Sequence, residues 1–362
     1  MGLHLSSRVR VLAAVAVVIA ATAVPAYGAS AASSRSTVNY PAPASCKNPD
    51  AGKGKGKKIV YIESATGNPF YDQNAIGFKK AAAVYGFDVS VVGPDTPGAT
   101  TQIPYIQAAI TNHVDGIAIQ VNDANALLPL LKQAKAAGIK VFSLNITIDK
   151  TKVIGSISGV DFASLAAPSQ LDELGRLMNW TGDFAILDAT TTAPFQKMVV
   201  GQMLKLLKSD PKYKNMHLVA HVYGQDVAAK DTEATNALLA RYPKLKGITA
   251  PTSIGIAAAA AVIDSVGKKG KIVLNGLGDP NEMRKYVKNG TVKEFQLWDP
   301  QTPGVVAGAM LINEMIGKPF KQGSSVNIPC YGTVHSSAAD GAVYAQNELT
   351  TFNAANIDKY QF

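Results

Sequence analysis

The sequence is poor in cysteine, histidine and charge. Two cysteines in 362 residues, Cys46 and Cys330, exclude a disulfide-built scaffold and a multi-cysteine metal cluster. Five histidines leave little for a zinc site. His217 and His221 stand four apart on a strand pattern with no third ligand near in sequence, so they read as core or surface histidines. Charged residues make up 17% and hydrophobic residues 47%, an ordinary globular balance with length enough for two domains. Long apolar runs are also missing. Residues 11–24 form an apolar stretch too short and too rich in small side chains to span a membrane comfortably.

The charge that is present is unevenly placed. The chain carries +9, but residues 1–58 hold eight Lys and Arg against Asp50, which leaves +2 for the body. A basic tail on a near-neutral body argues against nucleic acid as a partner. Arg8 and Arg10 ahead of the apolar run, then Pro25 and small residues through Ala31, read as a signal peptide over residues 1–31. The protein is therefore expected to be exported. No cysteine directly follows the run, so a lipid-anchored N-terminus is not supported. Residues 32–57, rich in Ser, Ala, Pro, Gly and Lys, read as a flexible tether. In an exported chain Cys46 and Cys330 are expected to pair, which would pin that tether to the body.

Signatures of catalysis are missing as well. Gly155-Ser156-Ile157-Ser158-Gly159 has isoleucine where a nucleophile elbow needs serine. Gly52-Lys53-Gly54-Lys55-Gly56 precedes the first strand of the body instead of following one, so it cannot cradle phosphate. No catalytic residue, metal site or cofactor is assigned, and the chain is read as a non-enzyme.

What the sequence does contain is alternation. Residues 57–86 set the pattern: Ile59-Val60-Tyr61-Ile62 suits a buried parallel strand, and a turn through Asn68, Phe70 and Tyr71 opens a helix ended by Gly86. Strands at residues 87–92, 115–121 and 140–144 follow, with helices at 100–112 and 127–137. Residues 147–160 break the rhythm. A second series follows, with strands at 184–187, 217–223, 247–250, 271–275 and 292–297 and helices between them. Such series give α/β architecture with two similar doubly wound parallel-sheet lobes, and a ligand cleft at the carboxyl ends of their strands.

Several runs carry a family likeness. The Gly67-Asn68-Pro69-Phe70-Tyr71 loop and Val114-Asp115-Gly116-Ile117-Ala118-Ile119 resemble the periplasmic-binding-protein type I superfamily, the sugar-binding subunits of ABC importers. The runs at residues 281–287 and 290–300 and the ending at 352–362 resemble its rhamnose-binding and autoinducer-binding branch. The likeness covers residues 58–362. It implies a three-stranded hinge, with lobe one at 58–146 plus 299–327 and lobe two at 147–298 plus 328–362.

The resemblance also implies where a sugar would sit: Asn68, Phe70, Tyr71 and Asn145 in lobe one, Asp188 and Asp279 in lobe two, and Trp298 and Asp299 at the hinge. It implies partners too, a small neutral sugar or polyol and the importer's membrane subunits, with the binding protein a monomer. The chain departs from the pattern at the helix opening Pro194-Phe195-Gln196-Lys197, where an arginine and an acid–amide pair are typical. Lys197 cannot supply a planar arginine fork, so a more apolar pocket is expected. An autoinducer-like signal, or a secreted enzyme on the same scaffold, are the alternative readings.

Overall fold

The structure, a computed structural model, describes residues 37–38, 45–149, 154–321, 323–336, 341–346 and 348–362. The expected signal peptide lies outside the described residues. After a two-residue strand, β1 (Thr37–Val38), strands and helices alternate: β2 (Lys58–Ile62), α1 (Pro69–Tyr85), β3 (Asp88–Val92), α2 (Ala99–Thr111), β4 (Gly116–Gln120), α3 (Ala124–Ala136) and β5 (Lys140–Leu144). Strand β6 (Gly155–Ser158) follows, and a π-helical turn (Phe162–Ala166) leads into α4 (Ala167–Leu177).

The second series is β7 (Gly182–Asp188), α5 (Pro194–Ser209), β8 (Met216–Tyr223), α6 (Ala228–Arg241), β9 (Leu245–Ala250), α7 (Ser253–Ser265), β10 (Val273–Gly276), α8 (Pro280–Lys288) and β11 (Glu294–Leu297). The chain ends through α9 (Gln301–Met315), β12 (Ser325–Ile328), β13 (Gly332–Ser336), β14 (Ala342–Tyr344) and β15 (Thr350–Asn353).

Three sheets result. The largest runs β1-β13-β14-β6-β5-β4-β2-β3, with β12 also paired to β13. Its six strands from β14 to β3 are parallel. The second sheet, β10-β9-β7-β8, is parallel throughout, and β11 pairs antiparallel with β15. Strand β2 explains why a continuous apolar run was needed. Ile59 and Tyr61 pack on one face with Phe78 and the α9 residues Val306 and Met310, while Val60 and Ile62 pack on the other with Ile106 and Leu127. Helices α1 and α9 cross very closely: a Cβ at Gly77 would stand 2.0 Å from the Gln301 carbonyl oxygen, and one at Gly304 would stand 2.1 Å from that of Asn74. Glycine is required at both.

Four expectations are corrected. Helix α3 begins three residues early because the Asp123 carboxylate caps it, accepting from the Asn125 and Ala126 N–H groups at 2.9 and 3.1 Å. The supposed break at 147–160 contains β6, which joins the large sheet beside β5 and β14. Four residues of Gly-Ser-Ile-Ser show too little periodicity to be seen. Strands β13 and β14 join that sheet too, so the chain leaves it after Ser158 and after Tyr344 rather than near 146 and 327. Residues 45–57, read as tether, are packed turns. Gly52 and Gly54 donate to the Val84 and Tyr85 carbonyls, the buried Asp50 carboxylate accepts from Lys53 and Lys318, and Cys46 is bonded to Cys330 with sulfurs 2.13 Å apart.

Candidate functional site

A cavity of ≈ 70 Å³ opens between the carboxyl ends of the parallel strands of the two larger sheets. One wall comes from the residues that end β2, β4 and β5, and the other from those that end β7, β8 and β9.

The first wall is a network of uncharged polar groups. Asn68 caps α1, its Oδ1 accepting from the Phe70 N–H at 3.1 Å. Ser64 and Asn122 are hydrogen-bonded side chain to side chain, and the Asn122 amide also donates to the Ser64 carbonyl at 2.9 Å. Buried Gln102 ties the network from behind, accepting from the Asn122 N–H and donating to the Glu63 carbonyl, both at 2.9 Å. Gln120 and Asn145 both donate to the Asn74 side-chain oxygen, at 3.3 and 3.2 Å. Asn145 adopts φ +62°, a left-handed conformation that asparagine tolerates, so its amide faces the cavity from a tight turn after β5.

The second wall differs. Ala189, Ala193, Pro194 and Phe195 give it an apolar floor, in line with the departure noted at the start of α5. Among the described residues, Asp226 is the one carboxylate lining the cavity, and no lysine, arginine or histidine lines it. Asp226 sits in the turn after β8, with Gln225 and Asp226 at φ +64° and +56°. Its Oδ2 accepts from the Asn68 amide at 3.0 Å and its Oδ1 from the Thr252 hydroxyl. Burial raises its pKa to about 6; the Thr252 hydrogen bond opposes this, nearby Asp188 adds to the rise, and the Asn68 bond opposes it.

Aromatic rings close one end of the cavity. Trp298, 2% exposed, meets Phe70 edge-on at 5.5 Å and Phe195 at 6.0 Å, and Phe70 meets Tyr71 at 5.6 Å. The indole lies flush on Gly159, where a Cβ would come within 2.2 Å of its nitrogen.

Of the residues expected to contact ligand, Asn68, Phe70, Tyr71, Asn145 and Trp298 come together around this cavity. Three do not reach its wall. Asp188 turns to β8, where its carboxylate meets His221 Nε2 at 2.8 Å and also accepts from the Ala189 N–H. Asp279 is fully buried behind Ser253, and burial raises its pKa to about 7 while the Ser253 hydroxyl opposes the shift. Asp299 holds the first residue of α9, accepting from the Gln301 N–H at 2.8 Å, the capping role a helix start demands. Sequence reading missed Gln120, Asn122, Asp226 and Thr252. Each follows or ends a parallel strand, so applying the strand-end rule to every strand would have flagged them.

With this geometry in place, comparison with known proteins is informative. The family model described as "Periplasmic binding protein domain" matches residues 59–319. The chain belongs to that family. A crystal structure of a sugar ABC transporter protein from Actinomyces odontolyticus is 34% identical, covering 86% of this chain and all of that one, with a TM-score of 0.69. An ABC transporter solute-binding protein from Clostridium phytofermentas, solved with bound L-rhamnose, is 29% identical over 84% of this chain and 98% of its own, with a TM-score of 0.79. The xylose/arabinose-binding protein of Sulfolobus acidocaldarius is 34% identical over 91 residues, and the match spans 25% of this chain and 23% of that protein.

Proposed function

We propose that this chain is the exported solute-binding component of an ABC importer and that it captures one neutral monosaccharide between two lobes. The lobes are taken as the large-sheet body and the four-stranded-sheet body, crossed at residues 159–161, 298–300 and 345–346. The observation that carries the reading is the cavity wall: amides, hydroxyls and aromatic rings, with a single carboxylate already engaged by Asn68 and Thr252. A phosphorylated or carboxylated solute would find no counter-charge there. Each amide can both donate to and accept from sugar hydroxyls, while Phe70, Tyr71 and Phe195 can cover C–H faces. Relatives whose names or titles print L-rhamnose and xylose/arabinose support the class.

A monomer would suffice for capture, and the importer's membrane subunits would receive the solute. Thermal-shift screening against L-rhamnose, D-xylose, L-arabinose, a disaccharide and a sugar phosphate tests this, followed by a turnover assay on any hit. The expected result is stabilisation by a neutral monosaccharide that is returned intact. Stabilisation by the sugar phosphate alone, or consumption of the hit, would overturn the reading.

A further inference from the structure

The two cavity walls reach each other through Asn68 and Asp226. The Asn68 amide donates across the cleft to Asp226 Oδ2 at 3.0 Å, and a longer contact runs from the Thr192 hydroxyl to the Asn122 carbonyl at 3.5 Å. Both oxygens of Asp226 are engaged within the protein, the second by Thr252. The turn presenting Asp226 is itself fixed: the Gly224 and Gln225 N–H groups donate to the Asp188 and Ala189 carbonyls at 2.9 and 2.7 Å. A carboxylate so placed is poorly disposed to bind solute and well disposed to grip the opposite wall. We propose that Asn68 and Asp226 form a latch that closes the two lobes directly, with Asp226 a positioning residue for the cavity rather than a sugar ligand. The lobes and cleft are those of the function proposed above.

A hydrogen bond to an ionised carboxylate is stronger than one to its neutral form. Burial raises the Asp226 pKa to about 6, and the Thr252 and Asn68 donors oppose the rise by favouring the charged form that grips most strongly. The titratable groups around it are mostly acidic. Asp188 lies on β7, with its carboxylate held by His221 of β8; Asp231 lies on α6; Asp279 stands at the start of α8; and Tyr71 faces it from α1. Lys230 on α6 is bonded to the Gln225 side chain. Asp188 adds to the rise in the Asp226 pKa.

Small-angle X-ray scattering of the ligand-free protein at pH 8 tests this without any solute. Asp226→Asn, which asparagine's tolerance of left-handed backbone should let fold, removes the charge from the bond and should show a larger radius of gyration than wild type. Asn68→Asp keeps the helix cap but sets two carboxylates face to face, and should be expanded further. The latch is overturned if either variant matches wild type in radius of gyration. With L-rhamnose as probe, Asp226→Asn should release solute about tenfold faster, the loss of one charge-assisted hydrogen bond. Lost affinity with unchanged ligand-free scattering would instead make Asp226 a sugar ligand. Failure of every sugar to bind wild type would remove the function proposal, while the ligand-free scattering still decides the latch.

Discussion

The two walls of the cavity solve the same problem with different materials. The wall after β2, β4 and β5 buries amides and hydroxyls that satisfy one another, and behind it Glu63 has its pKa raised by burial to about 7. The other body buries four such acids: Asp226 at about 6, Glu173 and Asp279 at about 7, and Asp231 at about 8, each raised first of all by burial. A neutral network holds its geometry across the physiological pH range, whereas buried carboxyls make theirs depend on pH. Among the described residues Asp226 alone of these acids lines the cavity, so it is the one through which pH reaches the cavity wall.

Removing the group that touches both walls should have the largest effect. Trp298→Ala takes away the ring that Phe70 and Phe195 both meet, and should cost about 3–5 kcal/mol of stability by chemical denaturation. A loss below 1 kcal/mol would mean the walls do not meet at the indole.

The pH contrast comes next. The raised carboxyls hold protons in the folded state that the unfolded chain gives up near its ordinary pKa of about 4. Raising the pH therefore favours unfolding, with stability highest near pH 4–5 and falling until the folded values of about 6 to 8 are passed. A decline of about 2 kcal/mol or more between pH 5 and 8 is expected, since one pKa unit is worth about 1.4 kcal/mol. Asp231→Asn should flatten the part of the curve up to about pH 8. Stability that rises over this range in wild type would sink the account.

The neutral wall should yield a smaller, pH-independent change. Asn122→Leu leaves the Ser64 hydroxyl and the Ser64 carbonyl without the Asn122 side chain. About 1–2 kcal/mol should be lost equally at pH 5 and pH 8 by denaturant titration. A loss confined to one pH would contradict the division between the walls. Last, Lys197→Ala should change affinity for any sugar hit by less than about 0.5 kcal/mol in calorimetry, because Lys197 lies outside the cavity wall.

Much of the fold was legible because local patterns are strong where both faces of a strand are buried. Ile59 to Ile62 announced β2, Gly86 announced the end of α1 with φ +79°, and the departure at Pro194-Phe195 announced an apolar floor. Strand β6 was not legible: three small residues and one isoleucine gain their identity only from β5 and β14, and β14 lies far along the chain. The site was half legible for a related reason. Residues after β2 and β5 carried a family likeness, whereas Asp226 and Thr252 became visible as a pair only when their turns met.

By itself, then, the sequence determined the strand–helix alternation and the cap by which Asn68 opens α1, since these follow from side chains acting on their own neighbours. Which carboxylates face the cavity was decided by the tertiary structure. Asp188, Asp279 and Asp299 look in sequence as fit for a ligand as Asp226 does. They are instead turned to His221, packed behind Ser253 and bound to the start of α9. A carboxylate's role depends on which donor reaches it first, and those donors are brought to it by strands and turns far away in the chain.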